Sequence, residues 1–152
     1  MATPKDIRRA ALQALYQLDA RGDADVDSIR ASMDHEDSAL RPAERDRAME
    51  RATRAFADRA IADSAVSKYA GDWPAHRQPA IDRAILRLAH FELKEAAVES
   101  RVTISAAVDL AKEFSTERSP AFINAVLDKI AKAMPRSESP AEPAPDAANA
   151  EA

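Results

Sequence analysis

The chain has 152 residues, of which 36 are Ala, with 2 Gly, no Cys, 4 Phe, 2 Tyr, 1 Trp and a net charge of −4. The length suits one domain or two small halves sharing a core, and the missing cysteines exclude a disulfide framework and a thiolate zinc site. Two glycines cannot build a Gly-rich phosphate loop, no apolar run approaches the ~20 residues of a membrane span, and the negative sum argues at first sight against a general nucleic-acid binder.

Ala has the highest helix propensity, and strand-type runs of Val, Ile, Thr and aromatics are missing, so the expected class is all-α. Pro4, Pro42, Pro74, Pro79, Pro120 and Pro135 stand at the edges of periodic segments, and Gly22 and Gly71 fall in breaks. A first helix is predicted from about Lys5 to Asp19, with Ile7, Ala11, Ala14, Leu15 and Leu18 on its buried face. A short second helix is expected around Val26 to Met33, anchored by Ile29. A long third segment runs from Arg41-Pro42 to about Tyr69, with Met49, Thr53, Phe56, Ala60 and Ser64 at helical spacing and Ala52, Ile61 and Val66 beside them.

The pattern breaks between Tyr69 and Gln78. A fourth helix then runs from Pro79 to about Ala97, apolar around so much of its circumference that it is expected to be central. A fifth is predicted from Thr103, as N-cap, to Phe114, with Ile104, Ala107, Val108, Ala111 and Phe114 inward. Ser119-Pro120 supplies a capping hydroxyl and a Pro for a sixth, carrying Ile123, Val126, Leu127, Ile130 and Met134. Residues 1–134 are thus read as one helical domain. Residues 135–152, acidic and rich in Pro and Ala, are read as a disordered tail.

Charge is segmental. Residues 22–40 hold −5 and the last eighteen residues −3, leaving the rest of the chain at +4. The chemistry of turnover finds little support. His35, His76 and His90 lack metal-ligand spacing, and no nucleophile–His–acid set stands out. The chain is expected to be no enzyme and to need no metal or cofactor.

Three features stand above background. Lys5, Arg8, Arg9, Gln13 and Tyr16 form one stripe of the first helix, as phosphate ligands, a base-edge reader and a stacking ring do, or as a solvated face does. Arg87 and Glu92 lie embedded in apolar sequence, as interhelical ion pairs in a core wall do. Phe122, Asn124 and Lys129 fall off the buried stripe of the last helix. They suit unpaired RNA, unless Phe122 packs beneath the preceding loop.

The segments Ile85-Leu86-Arg87-Leu88-Ala89-x-Phe91-Glu92-Leu93, Ile104-x-x-Ala107-Val108-x-Leu110-Ala111-Lys112-x-Phe114 and Phe122-Ile123-Asn124-x-Val126-Leu127-Asp128-Lys129-Ile130, in this order, resemble the bacterial transcription antitermination factor NusB family. Arg8-Arg9-Ala10-Ala11-Leu12-Gln13-Ala14-Leu15-Tyr16 resembles its Arg-rich first helix, and the likeness spans about Lys5 to Lys132. The resemblance implies two perpendicular three-helix bundles on a shared core. It implies a cytoplasmic RNA-binding factor that pairs with the ribosomal protein NusE on single-stranded boxA RNA of ribosomal RNA leaders, within the RNA polymerase antitermination complex and away from membranes. On this resemblance Lys5, Arg8, Arg9, Gln13, Tyr16, Lys112, Phe122, Asn124 and Lys129 face RNA, and Asp82 and Tyr69 face NusE. Arg118, where the family commonly has an acid, adds a phosphate contact, while Ser115 and Ala125 stand where glycines are common. Two other readings stay open: a helical protein–protein adaptor without RNA binding, and an accessory domain of an RNA methyltransferase system.

Overall fold

The structure is a computed structural model that describes residues 3–22, 26–36, 40–71, 73 and 77–134, with the backbone alone at 34–36. The expected tail, residues 135–152, lies outside the described residues, as do Pro74 and His76. Seven helices follow in order: α1 Pro4–Arg21, α2 Val26–Glu36, α3 Pro42–Ala57, α4 Arg59–Tyr69, α5 Ala80–Glu95, α6 Ser100–Phe114 and α7 Ser119–Ala133. Among the described residues there is no strand, and no helix is long and apolar enough to cross a membrane.

α1 starts where local chemistry dictates. The Thr3 hydroxyl accepts from the Asp6 N–H at 3.1 Å and the Asp6 carboxylate accepts from the Thr3 N–H at 2.9 Å, a reciprocal cap. These bonds hold the Asp6 carboxyl below the usual carboxylate range. Asp6, which interrupts the basic run, is therefore a capping residue. α1, α2 and α3 pack on one another; α5, α6 and α7 form a second group, with α4 against α5 and α7. α5 runs through the middle, packing on α1, α3, α4, α6 and α7, and residues 84–93 are all buried. Ala10, Ala11 and Ala14 of α1 and Ala48, Ala52 and Ala55 of α3 are buried, small enough to let the two helices approach closely.

Four local expectations are corrected. The long third segment is two helices, because Asp58 takes φ −85° and ψ 0° between them. No Pro or Gly marks the spot; the cause is tertiary. The Asp58 carboxylate accepts from Lys94 Nζ at 2.7 Å and lies 2.7 Å from His90 Nδ1, which ties the junction to α5. The break re-phases the helix, so Ala62 and Val66 face inward while Ile61 is 58 % exposed.

Thr103 does not cap α6. The helix starts a turn earlier behind Glu99, and Thr103 is buried within it. Ser119 does not cap α7 either: Arg118 is the N-cap, and the Ser119 hydroxyl is engaged elsewhere. α2 also runs to Glu36, beyond the expected end at Met33.

Candidate nucleic-acid interface

The apolar face of α1 is fixed inward by Ile7, Leu12, Leu15 and Leu18, which turns Lys5, Arg8, Arg9, Gln13 and Tyr16 outward along one stripe. Lys5, Gln13 and Tyr16 are exposed, and the Tyr16 ring, at 44 %, is free to stack. The two arginines are partly committed. Arg8 Nε donates to Glu92 Oε2 at 3.2 Å, and Arg9 Nη2 pairs with Glu113 of α6 at 3.0 Å. Each keeps further guanidinium donors for a second acceptor.

The second expected set divides. Lys112 of α6 and Asn124 of α7 line a groove of about 310 Å³ with Arg101, Ser105, Asp109 and Asp128. Glu113, which holds Arg9, lies one turn after Asp109 of the groove, so this side of α6 adjoins the α1 stripe. Phe122 and Lys129, seven residues apart, share the other flank of α7, toward α4. Arg118 is exposed in the α6–α7 turn.

Phe122 is not an exposed ring. It is half-buried, and its centroid lies 4.5 Å from that of Trp73 at an interplanar angle of 65°. Trp73 covers part of it, and Gln78 Nε2 donates to the Trp73 carbonyl at 2.9 Å. The edge-on contact holds Trp73 against α7 and leaves less of the Phe122 ring for base stacking.

Asp82 is wholly buried, which corrects the expectation that it faces a partner. Its carboxylate accepts from the Ser119 hydroxyl at 2.7 Å and from the Ser115 hydroxyl. An interface residue needs surface, and Asp82 has none; it ties the first turn of α5 to the α6–α7 turn. Ser115 sits at φ −124° and Ala125 within α7, so neither position needs glycine's freedom. Tyr69, at the end of α4, is half-buried beside a groove shared with Ile61, Lys68, Ile130 and Met134.

Arg87 and Glu92 are interhelical, with different partners. Arg87 forks Asp63 of α4 at 2.9 and 2.7 Å and donates to Asp19 of α1 at 3.1 Å. Glu92 accepts from Arg8 and, at 3.0 Å, from Arg51 of α3. Burial pushes the Glu92 carboxyl above its ordinary range, and the two arginines only partly offset it. Among the described residues no group of His, Asp and Glu is placed to hold a metal ion.

Residues 5–132 match the NusB family. The chain belongs to the NusB family. Transcription antitermination protein NusB of Solibacter usitatus is 38 % identical over 92 % of this chain and 96 % of its own length. The protein of the same name from Streptomyces coelicolor is 39 % identical over 89 % and 96 %. A structure of T. maritima NusB superposes with a TM-score of 0.76 at 31 % identity, covering 91 % of this chain and 98 % of that one. A further structure, of the antitermination factors NusB and NusE in complex with dsRNA, gives a TM-score of 0.73 at 25 % identity over 86 % and 96 %.

Within this NusB fold, sequence reasoning missed Arg51 and Trp73. Arg51 looked like one more arginine in a mixed-charge helix; only the fold brings it to Glu92. Trp73 carried a usable signal, since a lone Trp in a Pro-bounded loop seldom stays uncovered.

Proposed function

We propose that this chain is a transcription antitermination factor that binds single-stranded boxA RNA of ribosomal RNA leaders together with NusE, and thereby promotes read-through by RNA polymerase. The observation that carries the reading is the polar stripe of α1 running into the Lys112–Asn124 groove of α6 and α7, in a chain matched to NusB from residue 5 to 132. Lys5, Arg8, Arg9, Lys112, Arg118 and Lys129 neutralise phosphates, Gln13 and Asn124 meet base edges, and Tyr16 stacks. Phe122 packs on Trp73 and steadies α7. Tyr69, beside the α4–α7 groove, meets NusE. The mechanism is binding without turnover, and its place is the cytoplasm, beside RNA polymerase.

Because Arg8 and Arg9 share their charge with Glu92 and Glu113, affinity for RNA alone is weak and the partner extends the surface. Fluorescence anisotropy on a boxA-like RNA, with and without NusE, tests this. Binding is expected to tighten with NusE and to weaken with salt; equal, salt-insensitive binding in both conditions would sink the reading. The same ion pairs favour one rival, an adaptor that binds protein alone. Crosslinking that captures NusE and no RNA selects the rival.

A further inference from the structure

α3 carries both acids and arginines on its outer side. Asp46 and Glu50 lie toward α2, where Asp46 accepts from Arg30 Nε at 2.8 Å. Arg47, Arg51 and Arg54 follow at i, i+4 and i+7 and share the other flank. That flank turns to the last turns of α5. Arg51 Nη1 donates to Glu92 Oε2 at 3.0 Å, and Arg54 stands 4.0 Å from Glu95 and 5.1 Å over the Phe91 ring.

The same Glu92 oxygen accepts from Arg8 Nε. Arg8 of α1 and Arg51 of α3 therefore meet on one carboxylate that is only 7 % exposed, with one negative charge between two guanidiniums. Each guanidinium spends one nitrogen there and keeps others for an outside acceptor. Arg47 is exposed and has no ion-pair partner among the described residues. The four arginines meet Glu92 and Glu95 across the helices, and Glu44 and Glu50 of α3 stand one turn from Arg47 and Arg54.

A charge run on a helix is usually a solvated face. What sets this one apart is that its arginine flank is joined through Glu92 to a residue of the α1 stripe. From Arg47 to Arg54 the helix advances ~10 Å, room for about two backbone phosphates.

We propose that Arg47, Arg51 and Arg54 form a second phosphate track, continuous with Arg8, that carries the RNA backbone from α1 onto α3. This rests on the RNA-binding reading above and adds where the strand runs. Glu92 is a positioning residue in it: a buried carboxylate that holds two guanidiniums side by side without entering the interface. The guanidinium fork matches carboxylates as well as phosphates; continuity with the α1 stripe selects phosphate.

The test is the salt dependence of RNA binding by the full chain with NusE, using fluorescein-labelled single-stranded RNA of two lengths. Arg47→Gln with Arg54→Gln leaves the Arg8–Glu92–Arg51 cluster intact. On the longer RNA this variant is expected to lower the slope of log K against log salt by roughly 1.4, about 0.7 for each lost phosphate contact. On an RNA too short to pass α1 its slope is expected to match that of the unaltered chain. If the slope on the longer RNA is unchanged while Arg8→Ala with Arg9→Ala lowers it, the strand leaves α1 by another route and the track is refuted. If the unaltered chain binds neither RNA, the RNA-binding reading falls and the track with it. If the α3 variant loses affinity for NusE and none for RNA, the arginines serve an acidic protein surface instead.

Discussion

Replacing Arg87 by Ala removes three charge-assisted hydrogen bonds, at 2.7, 2.9 and 3.1 Å, that tie α5 to α4 and α1. The loss is not symmetrical. Asp63 is left without its fork at 28 % exposure, whereas Asp19, at 20 %, keeps Arg83 at 2.6 Å. Breaking a buried pair by deleting one partner costs about 3–5 kcal/mol. Both carboxylates retain some water and one retains a second cation, so the lower end applies, about 3 kcal/mol. Against a total of ~5–15 kcal/mol this is a large fraction, and for a domain of this size it lowers Tm by roughly 10 °C.

The pH profile supplies a second reading. Burial pushes the Asp19 carboxyl up, but hydrogen bonds and charge from Arg83 and Arg87 outweigh it and hold the group below its ordinary 3.8. A carboxyl depressed in the folded state contributes stability above its unfolded value and loses it as pH falls through the folded one. The unaltered chain should therefore lose stability on acidification below about pH 4, and Arg87→Ala should show a shallower loss there. Urea titration at pH 7 and at intervals down to pH 3 measures both. A penalty under about 1 kcal/mol at pH 7, or an Arg87→Lys variant as stable as the original, would refute the reasoning, because Lys lacks the fork.

Asp82→Ala leaves the Ser115 and Ser119 hydroxyls without their acceptor and should destabilise by about 2–3 kcal/mol in urea titration; a stable variant that had lost only NusE binding would restore Asp82 to the interface. Ala96 closes α5 at φ 55°, where an L side chain is strained, so Ala96→Gly should raise stability by ~0.5–1 kcal/mol in the same assay, and a loss would mean the strain is not felt. Tyr16→Ala should leave Tm unchanged and weaken RNA binding by about 1–3 kcal/mol in anisotropy; equal affinity removes the ring from the interface. Phe122→Ala should shift the emission of the single Trp by uncovering Trp73, whether or not RNA is present, and an unshifted spectrum would mean the two rings are not in contact in solution.

The helices were legible because their punctuation is chemical. Pro4, Pro42 and Pro120 each stand in the first turn of a helix, and Pro79 is the residue immediately before α5. The core was legible from periodicity: Ile7, Leu15 and Leu18, or Ile123, Val126, Leu127 and Ile130, are buried as spaced. What escaped was set by contacts distant in sequence. Asp58 breaks a helix through His90 and Lys94, and Asp82 turns inward because two serines more than thirty residues away supply its donors. In both cases a polar side chain on a helix had two plausible fates, solvent or a partner, and local sequence does not distinguish them. For the candidate site the stripe of α1 was readable as a stripe. That Arg8 and Arg9 already share their charge was not, since Glu92 and Glu113 come from other helices.

The seam between α1 and α3 has a consequence for how this fold keeps a single arrangement. Ala10, Ala11 and Ala14 of α1 and Ala48, Ala52 and Ala55 of α3 are buried in helices that pack on each other, and methyl groups interlock only weakly against a lengthwise slide. Arg8 and Arg51, both anchored on Glu92, act as a stop against that slide, because a shift of one turn would leave the buried carboxylate without one of its two donors. Lengthwise registry is thus written in a few polar atoms, and compactness in many identical methyls. A chain stripped of Glu92 and Arg51 together is expected to keep its helical circular dichroism while its methyl NMR signals broaden, the mark of helices that still touch and no longer know where to stop.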